Sequence, residues 1–449
     1  MTRSHSPAAG VALHELARMT ADGRAALLRR PGQDLGPYVK KVRPIVEAVR
    51  DEGDAALIRF ARAFDGADLT GADLMAGKAE FDAAFDRIDA AMIETLEYAA
   101  DNIRRFHETQ RPPEIRMTEI RPGVLVGERF TPVDDAAIYT PRGKGSFPSM
   151  TLMACIPAVV AGVRDLILLT PPGPDGRVDP ATLVAARLAG VERVYKAGGA
   201  VAVAAAAFGT ATVPRTGRFE GPGSPWVLAA KELLRERIFS RLPAGPSESI
   251  VLSDGSVDAE TAARDLLIEA EHGPDSSAFL VTWLPDHADE ILAILPRLLR
   301  ELAPDRAAWV GVVLGGKAGG VVLAPSPEEA ARFVNDHAPE HLQILSRAPF
   351  DHLGAIRNAS EILLGPLTAG SIANYVMGPN AVLPTGGAAR YHSPLGVADF
   401  MKSASLGQIN AAGYSEMARH TRRFARYEGF DAHGQAVPEA RIRIVAAGG

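Results

Sequence analysis

The chain has 449 residues, of which 47% are apolar and 23% are charged, and its formal net charge is −6. This length and balance predict a globular protein with two or three folding units. Nucleic acids and polyphosphates bind to basic surfaces, so the acidic balance and the interspersed charges argue against partners of those kinds.

The single cysteine, Cys155, excludes a disulfide within the chain and a cysteine-based zinc cluster. It lies in the apolar stretch 150–163 and is predicted to be a buried, small hydrophobic residue in a protein of a reducing compartment. Residues 1–30 carry charges every few positions and lack a secretory apolar run. No stretch approaches the ~20 apolar residues of a membrane helix, so we expect a cytoplasmic protein.

In chain order, residues 1–32 predict a short helical arm that ends at proline and glycine. From Tyr38 to Ala61, apolar residues recur at spacings of three and four, which predicts helices, and residues 81–106 repeat this pattern. Residues 117–140 predict short strands.

Beyond Tyr139 the sequence alternates between short apolar runs and helical patterns. The predicted strands are 164–172, 193–199, 248–254, 277–284 and 308–316, and the predicted helices are 180–190, 200–209, 259–270 and 288–302. Ser326 and Pro327 are typical of the start of a further helix. This alternation favours parallel sheets with helices on their faces.

Neither phosphate-binding glycine motif is present. The patterns G-x-G-x-x-G and G-x-x-x-x-G-K-[ST] are absent, since the Gly-Lys pairs at 143–144 and 316–317 lack the rest of the second motif. A dinucleotide, if one binds, does not use the usual fingerprint.

Glu269 and His272 stand three residues apart in "LIEAEHGPDSS" (267–277). On a helix they share one face, where a carboxylate and an imidazole can hold a divalent ion. The same spacing fits a histidine at a helix end, close to the breakers Gly273 and Pro274.

Glu340 and His341 follow Pro339 in "NDHAPEHLQIL" (335–345). A histidine with a near-neutral pKa beside a carboxylate suits proton transfer, although a solvated turn explains the pattern equally well.

Two further segments are polar. Residues 373–394 are rich in turn-forming residues and predict either an ordered loop around a site or an interdomain connection. Glu428 and His433 lie in a polar tail, which is typical of an exposed surface segment.

Seven segments, taken in this order, resemble the histidinol dehydrogenase family. They are "YTPRGKGSFPSM" (139–150), "GPGS" (221–224), "LPAGPSE" (242–248), "EAEHGPDS" (269–276), "APEHLQI" (338–344), "GPNAVLPTGGAAR" (378–390) and "EGFDAH" (428–433). The resemblance covers nearly the whole chain. It implies a zinc enzyme that oxidises an amino alcohol through the aldehyde to the acid with two NAD⁺.

The resemblance also implies roles for individual residues. His341 would accept the hydroxyl proton and Glu340 would help to activate water for the second oxidation. Ser247 and Glu428 match family positions that contact substrate, and Tyr139 matches a position on the cofactor.

The family binds zinc with glutamine, histidine, aspartate and histidine, and the corresponding residues here are Glu269, His272, Asn374 and His433. The two exchanges swap an amide and a carboxylate, so the ligand set keeps one negative charge and we expect it to bind Zn²⁺. In the family the enzyme is a homodimer whose C-terminal histidine reaches the zinc of the other subunit, and His433 would do so here.

Three other positions depart from the family. Ala381 replaces a histidine that recognises the substrate, and an alanine side chain cannot donate a hydrogen bond. Val201 and Ser224 replace a glutamine and an asparagine at the cofactor. The change at Ala381 favours a polar alcohol other than histidinol, anionic or amino, as in family paralogues such as sulfopropanediol dehydrogenases. The changes at Val201 and Ser224 leave NADP⁺ open beside NAD⁺.

We therefore predict an α/β protein with two Rossmann-like parallel-sheet domains and small helical appendages. Residues 1–32 form the N-terminal arm, and residues 33–138 with 248–396 form a discontinuous domain that carries the metal and catalytic residues. Residues 139–247 form the nucleotide-binding domain, and residues 397–449 form a helical appendage that reaches the partner subunit.

The leading hypothesis is a zinc- and NAD-dependent dehydrogenase of a small polar alcohol. Two alternatives are an authentic histidinol dehydrogenase with unusual ligands and a metal- or metabolite-binding homologue that has lost hydride transfer.

Overall fold

The computed structural model describes residues 10–30, 34–143 and 145–446, in which thirteen strands form three sheets. The strands are β1 (Leu13–Glu15), β2 (Ile115–Arg121), β3 (Val124–Pro132), β4 (Asp135–Tyr139), β5 (Asp165–Thr170), β6 (Val194–Lys196), β7 (Phe219–Glu220), β8 (Glu248–Ser253), β9 (Ser277–Thr282), β10 (Gly319–Leu323), β11 (His341–Leu345), β12 (Glu361–Leu364) and β13 (Met401–Ile409).

The α-helices surround these strands. They are α1 (Ala21–Leu27), α2 (Gly36–Glu52), α3 (Asp54–Phe60), α4 (Lys78–Asp86), α5 (Ala90–Glu108), α6 (Pro148–Ala161), α7 (Pro180–Ala189), α8 (Gly199–Phe208), α9 (Pro225–Leu234), α10 (Ala259–Ala270), α11 (Pro285–Glu301), α12 (Pro304–Leu314), α13 (Pro327–His337), α14 (Pro349–Leu353), α15 (Gly370–Tyr375), α16 (Ala411–Glu428), α17 (Asp431–Gln435) and α18 (Arg441–Ala446).

The largest sheet has six parallel strands in the order β1-β10-β9-β8-β11-β12. Its central strands β8, β9 and β11 are buried along their whole length, as expected for a parallel sheet covered on both faces. Because side chains alternate along a strand, Val251 enters one core cluster while Ile250 and Leu252 enter the other.

A second parallel sheet has the order β6-β5-β4-β7. The alanine-rich helix α8 is buried along nearly its whole length, and α2 packs against α8 and α9 in the same core cluster. Gly221 follows β7 with φ +134°, and a Cβ there would lie 2.2 Å from the Tyr139 carbonyl oxygen. Glycine therefore lets the chain pass close to the end of β4.

The third sheet is antiparallel, in the order β13-β3-β2. It belongs to a separate compact unit, Arg111–Val133 with Phe400–Gly449, whereas both parallel sheets belong to the unit Met1–Gln110 with Asp134–Asp399. No helix in the described ranges is both long and apolar enough to span a membrane.

The predicted α/β class with two parallel sheets is confirmed. Ser326 caps α13 by accepting the Glu329 N–H, with Pro327 in the first turn, as the sequence indicates. Cys155 is buried and free, as predicted, and burial raises the pKa of its thiol.

Three predictions about elements were wrong. Residues 308–316 are not a strand: they lie mainly in α12, whose buried Val310, Val313 and Leu314 follow helical spacing, and the strand is β10. Short apolar runs do not distinguish a strand from a buried helix. The second prediction, a helical N-terminal arm, was wrong in part: the arm contains α1, but it also contains β1, which pairs with β10. Its residues 1–9 and 31–32 lie outside the described ranges.

The third error concerns residues 397–449, which are not helical throughout because β13 pairs with β3 along nine residues. Residues 33–138 are divided between packing partners: α2 and α3 share a core cluster with α8 and α9, whereas β2 and β3 lie in the other compact unit. The domain boundaries proposed from the sequence stay a prediction.

Candidate functional site

A cavity of about 350 Å³ in the first unit brings together most of the residues that the motifs singled out. The motif residues in its lining are Ser247, Glu269, His272, Glu340, His341 and Asn374. They come from four separate segments of the chain, and the amino ends of β8 and β11 supply two of these segments.

Glu269 lies in the last turn of α10, a helix whose first turn is capped by Asp258. Its side chain is buried, and His272 follows just beyond the helix end. His272 Nδ1 is 3.4 Å from Glu269 Oε2 and 2.9 Å from the Ser247 hydroxyl oxygen. The helical spacing therefore places a carboxylate and an imidazole side by side at the cavity wall.

Asn374, on α15, donates its side-chain N–H to Glu269, with 2.6 Å between Nδ2 and Oε1. Among the described residues, Glu269 Oε2 and Asn374 Oδ1 are buried and accept no hydrogen bond. Buried polar oxygens normally accept a hydrogen bond, so two oxygens that accept none at one place call for a further donor or a cation.

The donor set fits a divalent cation. No group of three or more His, Cys, Asp or Glu side chains in the described ranges is arranged to hold a metal ion. Glu269 and His272 supply two donors, however, and the Asn374 amide oxygen is a third of a type that hard cations accept. These three residues could hold a metal ion together with one ligand from elsewhere.

Glu340 and His341 stand where α13 gives way to β11. Ala338 ends the helix in the left-handed region at φ 52°, which is unusual for a residue other than glycine. The chain then turns so that both side chains are buried, and the Glu248 N–H donates to Glu340 Oε2 at 2.9 Å. The pair is therefore a buried, fixed feature rather than a solvated turn.

The charges around His341 set its protonation. Burial alone would lower the pKa of the imidazole, but the neighbouring carboxylates of Glu269, Glu340 and Glu361 outweigh burial and raise this pKa to about 10. The sequence did not show that Glu269 and Glu361 also face the ring, and these carboxylates move the pKa away from the near-neutral range that the sequence alone suggested. Burial also raises the pKa of Glu340 well above its usual range.

Sequence reasoning missed two residues of this site. Glu361, on β12, accepts a hydrogen bond from His341, with 2.7 Å between Oε2 and Nδ1. Arg306 lines the cavity, donates to the Glu271 carbonyl at 2.8 Å and lies over the Trp309 ring. Neither residue belongs to a recognisable motif, so only the register of β12 and the packing of α12 reveal them.

A second cavity, of about 330 Å³, lies at the carboxyl ends of β4, β5 and β6. Tyr139 closes β4 and its hydroxyl accepts the Gly199 N–H at 3.0 Å; Val201 and Ser224 also line this cavity. Phe60, Phe64 and Trp226 give it apolar walls, and Asp65 contributes a carboxyl whose pKa burial raises to about 6. Ligands of open α/β sheets bind at this edge.

The remaining two predicted residues lie in the second unit. Glu428 is the last residue of α16 and His433 lies in α17, and both are exposed there. The Phe430 and His433 rings are 5.2 Å apart.

The first unit is thus an α/β unit with two parallel sheets, one with a cavity at its carboxyl edge and one with a buried Glu-His pair at its amino edge. The chain belongs to the histidinol dehydrogenase family, because the family model described as Histidinol dehydrogenase matches residues 28–442.

Relatives agree with this assignment over nearly their whole length. The histidinol dehydrogenase homolog 2 of Mesorhizobium japonicum is 54% identical over 436 residues, which cover 97% of this chain and 99% of that protein. The histidinol dehydrogenase of Synechocystis sp. is 44% identical over 425 residues, covering 95% and 98%. The crystal structure of histidinol dehydrogenase from Elizabethkingia anophelis matches with a TM-score of 0.90 at 30% identity, covering 99% of this chain and 100% of that one.

Proposed function

We propose that this protein is a zinc-dependent, NAD-linked dehydrogenase that oxidises a small polar alcohol other than histidinol. The observation that carries the proposal is the pair of buried oxygens on Glu269 and Asn374 that accept no hydrogen bond, in the cavity that also holds Glu340 and His341. The family supports zinc and NAD⁺ as the groups to test.

Glu269, His272 and Asn374 would hold the metal. Bound Zn²⁺ would supply Lewis-acid activation of the substrate hydroxyl. It would also offset the Glu269 charge that holds the His341 proton. His341 would then act as the base: it lines the cavity, and its Nε2 lies 4.0 Å from Glu269 Oε1 and 3.9 Å from Glu340 Oε1.

Glu340 would serve the second oxidation, in which an aldehyde becomes an acid and water supplies the oxygen. Its carboxyl is buried beside His341, and the Glu248 N–H holds one of its oxygens. A buried carboxyl with a raised pKa can exchange a proton with water near neutral pH.

The second cavity would take the dinucleotide. It has apolar and aromatic walls, it lies at the carboxyl edge of a parallel sheet, and Tyr139 stands at its base. NAD⁺ would supply the hydride acceptor. Val201 offers no hydrogen bond there, which leaves NAD⁺ and NADP⁺ both to be tested.

The substrate proposal rests on Ala381, which lines the first cavity. An alanine cannot recognise the imidazole of histidinol as a histidine side chain can. The relative at 54% identity is named a homolog, whereas the protein at 44% identity is named histidinol dehydrogenase. That second name favours the authentic enzyme as the second candidate.

The second unit supports a homodimer in which His433 of the partner subunit completes the metal set. Close to His433 in the sequence, that unit exposes Phe424, Tyr427 and Phe430, which are 67%, 93% and 53% accessible in the single chain. Large apolar side chains exposed together mark an interaction surface, and a second copy of the chain is the proposed partner. Glu428, next to them, would contact the substrate of the partner.

The test is a metal analysis followed by an assay of NADH and NADPH formation with three alcohols. These are L-histidinol, 3-amino-1,2-propanediol and 2,3-dihydroxypropane-1-sulfonate. We expect bound zinc and turnover of one of the last two, with loss of turnover in His341→Asn. Efficient oxidation of L-histidinol would instead support the authentic enzyme, and zinc binding without NAD⁺ or NADP⁺ binding would support the homologue without hydride transfer.

A further inference from the structure

Glu361 and His341 face each other across two parallel strands. His341 is the first residue of β11, Glu361 is the first residue of β12, and the two are register partners. Their side chains meet with 2.7 Å between His341 Nδ1 and Glu361 Oε2. A distance this short is typical of a charge-assisted hydrogen bond.

The backbone makes this contact rigid. The Glu361 N–H donates to the Glu340 carbonyl at 3.0 Å, so the strand ladder itself aligns the two side chains. Glu361 is 7% exposed and His341 is 6% exposed. Both side chains are therefore held away from water at the amino ends of these strands.

Among the described residues, the Glu361 side chain makes no hydrogen bond or ion pair other than the one with His341. Its one ion pair there is with His341, and its second oxygen, Oε1, is buried and accepts no hydrogen bond. Burying a carboxylate is unfavourable unless it is paired, and His341 is the partner that the structure gives it.

The contact decides which nitrogen of His341 is available. Nδ1 carries the hydrogen that Glu361 accepts, which leaves Nε2 on the side of the cavity, towards Glu269 and Glu340. A carboxylate behind an imidazole selects the tautomer and the ring orientation, and it stabilises the ring when it takes up a proton.

We propose that Glu361 is a positioning residue for His341: it fixes the tautomer and the orientation of the imidazole, so that Nε2 faces the cavity. This inference rests on the proposed role of His341 in the reaction. Glu361 itself does not line the cavity and is not proposed to touch the substrate.

The first experiment is independent of catalysis. The His341 Nδ1–H in a short hydrogen bond should give a proton NMR resonance downfield of the backbone amides, assigned by its absence in His341→Asn. We expect this resonance to persist in Glu361→Asp, to move upfield in Glu361→Gln, which keeps an acceptor oxygen without the charge, and to vanish in Glu361→Ala. Gln343→Asn, a buried change two residues along β11, should leave it in place.

The second experiment is kinetic, with the alcohol that the wild type turns over. In Glu361→Gln and Glu361→Ala we expect kcat to fall on the order of 10²–10⁴-fold, with KM within a few-fold and zinc content unchanged, because the loss affects proton transfer and not binding. Glu361→Asp should recover part of kcat.

Two results would overturn the inference: the downfield resonance surviving in Glu361→Ala, or kcat falling only in proportion to the folded fraction of the variant. A wild type that oxidises no tested alcohol would count against the proposed function alone. The NMR comparison would then still decide whether Glu361 positions His341.

Discussion

Asn374 donates to Glu269 with 2.6 Å between Nδ2 and Oε1, although 105 residues separate them in the chain. The two positions that exchange an amide and a carboxylate relative to the family are therefore in direct contact. This explains how both exchanges can coexist: a carboxylate at both positions would place two negative charges in contact in the absence of a metal.

This contact predicts a coupled effect on metal binding. Glu269→Gln removes the carboxylate from the proposed metal ligands. We expect zinc affinity to fall at least ~10-fold, because even the loss of a residue that only hydrogen-bonds to a metal ligand lowers affinity by that much. Glu269→Gln combined with Asn374→Asp restores one carboxylate and should recover the affinity. Competition with a chelator, followed by elemental analysis, measures both.

The matched control is Glu260→Gln, which lies on the same helix but in exposed ion pairs with Arg264 and Arg297. It should bind zinc as the wild type does. Equal affinity in all the variants would show that the metal, if any, binds elsewhere.

A shared site predicts complementation between subunits. His341→Asn and His433→Ala should each be inactive alone. In a mixture that exchanges subunits, half of the dimers are mixed and each has one site with both native histidines, so roughly one quarter of the wild-type activity should return. Activity of the refolded mixture measures this, with the two unmixed variants as controls; no recovery would mean that each subunit builds its own site.

The apolar lining of the second cavity predicts a gain of cofactor affinity. Val201→Gln and Ser224→Asn each introduce an amide where the family has one, and a new hydrogen bond contributes about 1 kcal/mol, or roughly a fivefold change in affinity. Isothermal titration of NAD⁺ and NADP⁺ would detect it. Val312→Gln, at an exposed position outside the cavity, should have no effect.

Asp265 and Asp258 on the same helix predict opposite dependences of stability on pH. Burial raises the pKa of Asp265 to about 6. Between pH 4 and pH 6 the folded state therefore binds more protons than the unfolded state, so this group lowers stability as the pH rises. Asp265→Asn should become more stable than the wild type above pH 6, by on the order of 2 kcal/mol, and similar to it near pH 4.

Asp258 is the control of opposite sign. It caps α10, and hydrogen bonds from the Thr261 N–H and hydroxyl lower its pKa. Its contribution to the free energy of unfolding is fully present above the pKa of the unfolded state, and it is lost as the pH falls through the pKa of the folded state. Asp258→Ala should cost about 1 kcal/mol at neutral pH and less below pH 3, and urea unfolding at several pH values compares both variants.

Most of the secondary structure of this protein is determined by short segments of its sequence. Apolar periodicity, the caps at Asp258 and Ser326, and the prolines and glycines between elements are short-range features, so the alternation of strands and helices was predictable from the residues. The same holds for the neighbouring Glu269 and His272, whose helical spacing places them on one side. The run 308–316 was misread because a strand and a buried helix of that length share an apolar composition.

Only the tertiary structure decided which distant groups share an environment. Strand register places Glu361 against His341, and the approach of α15 to α10 places Asn374 on Glu269. The pKa of His341 depends on three carboxylates that converge on a buried ring, and Coulomb interactions act through space, whatever the distance along the chain. Sequence patterns could name the candidate residues, but the protonation and orientation of their side chains follow from folding.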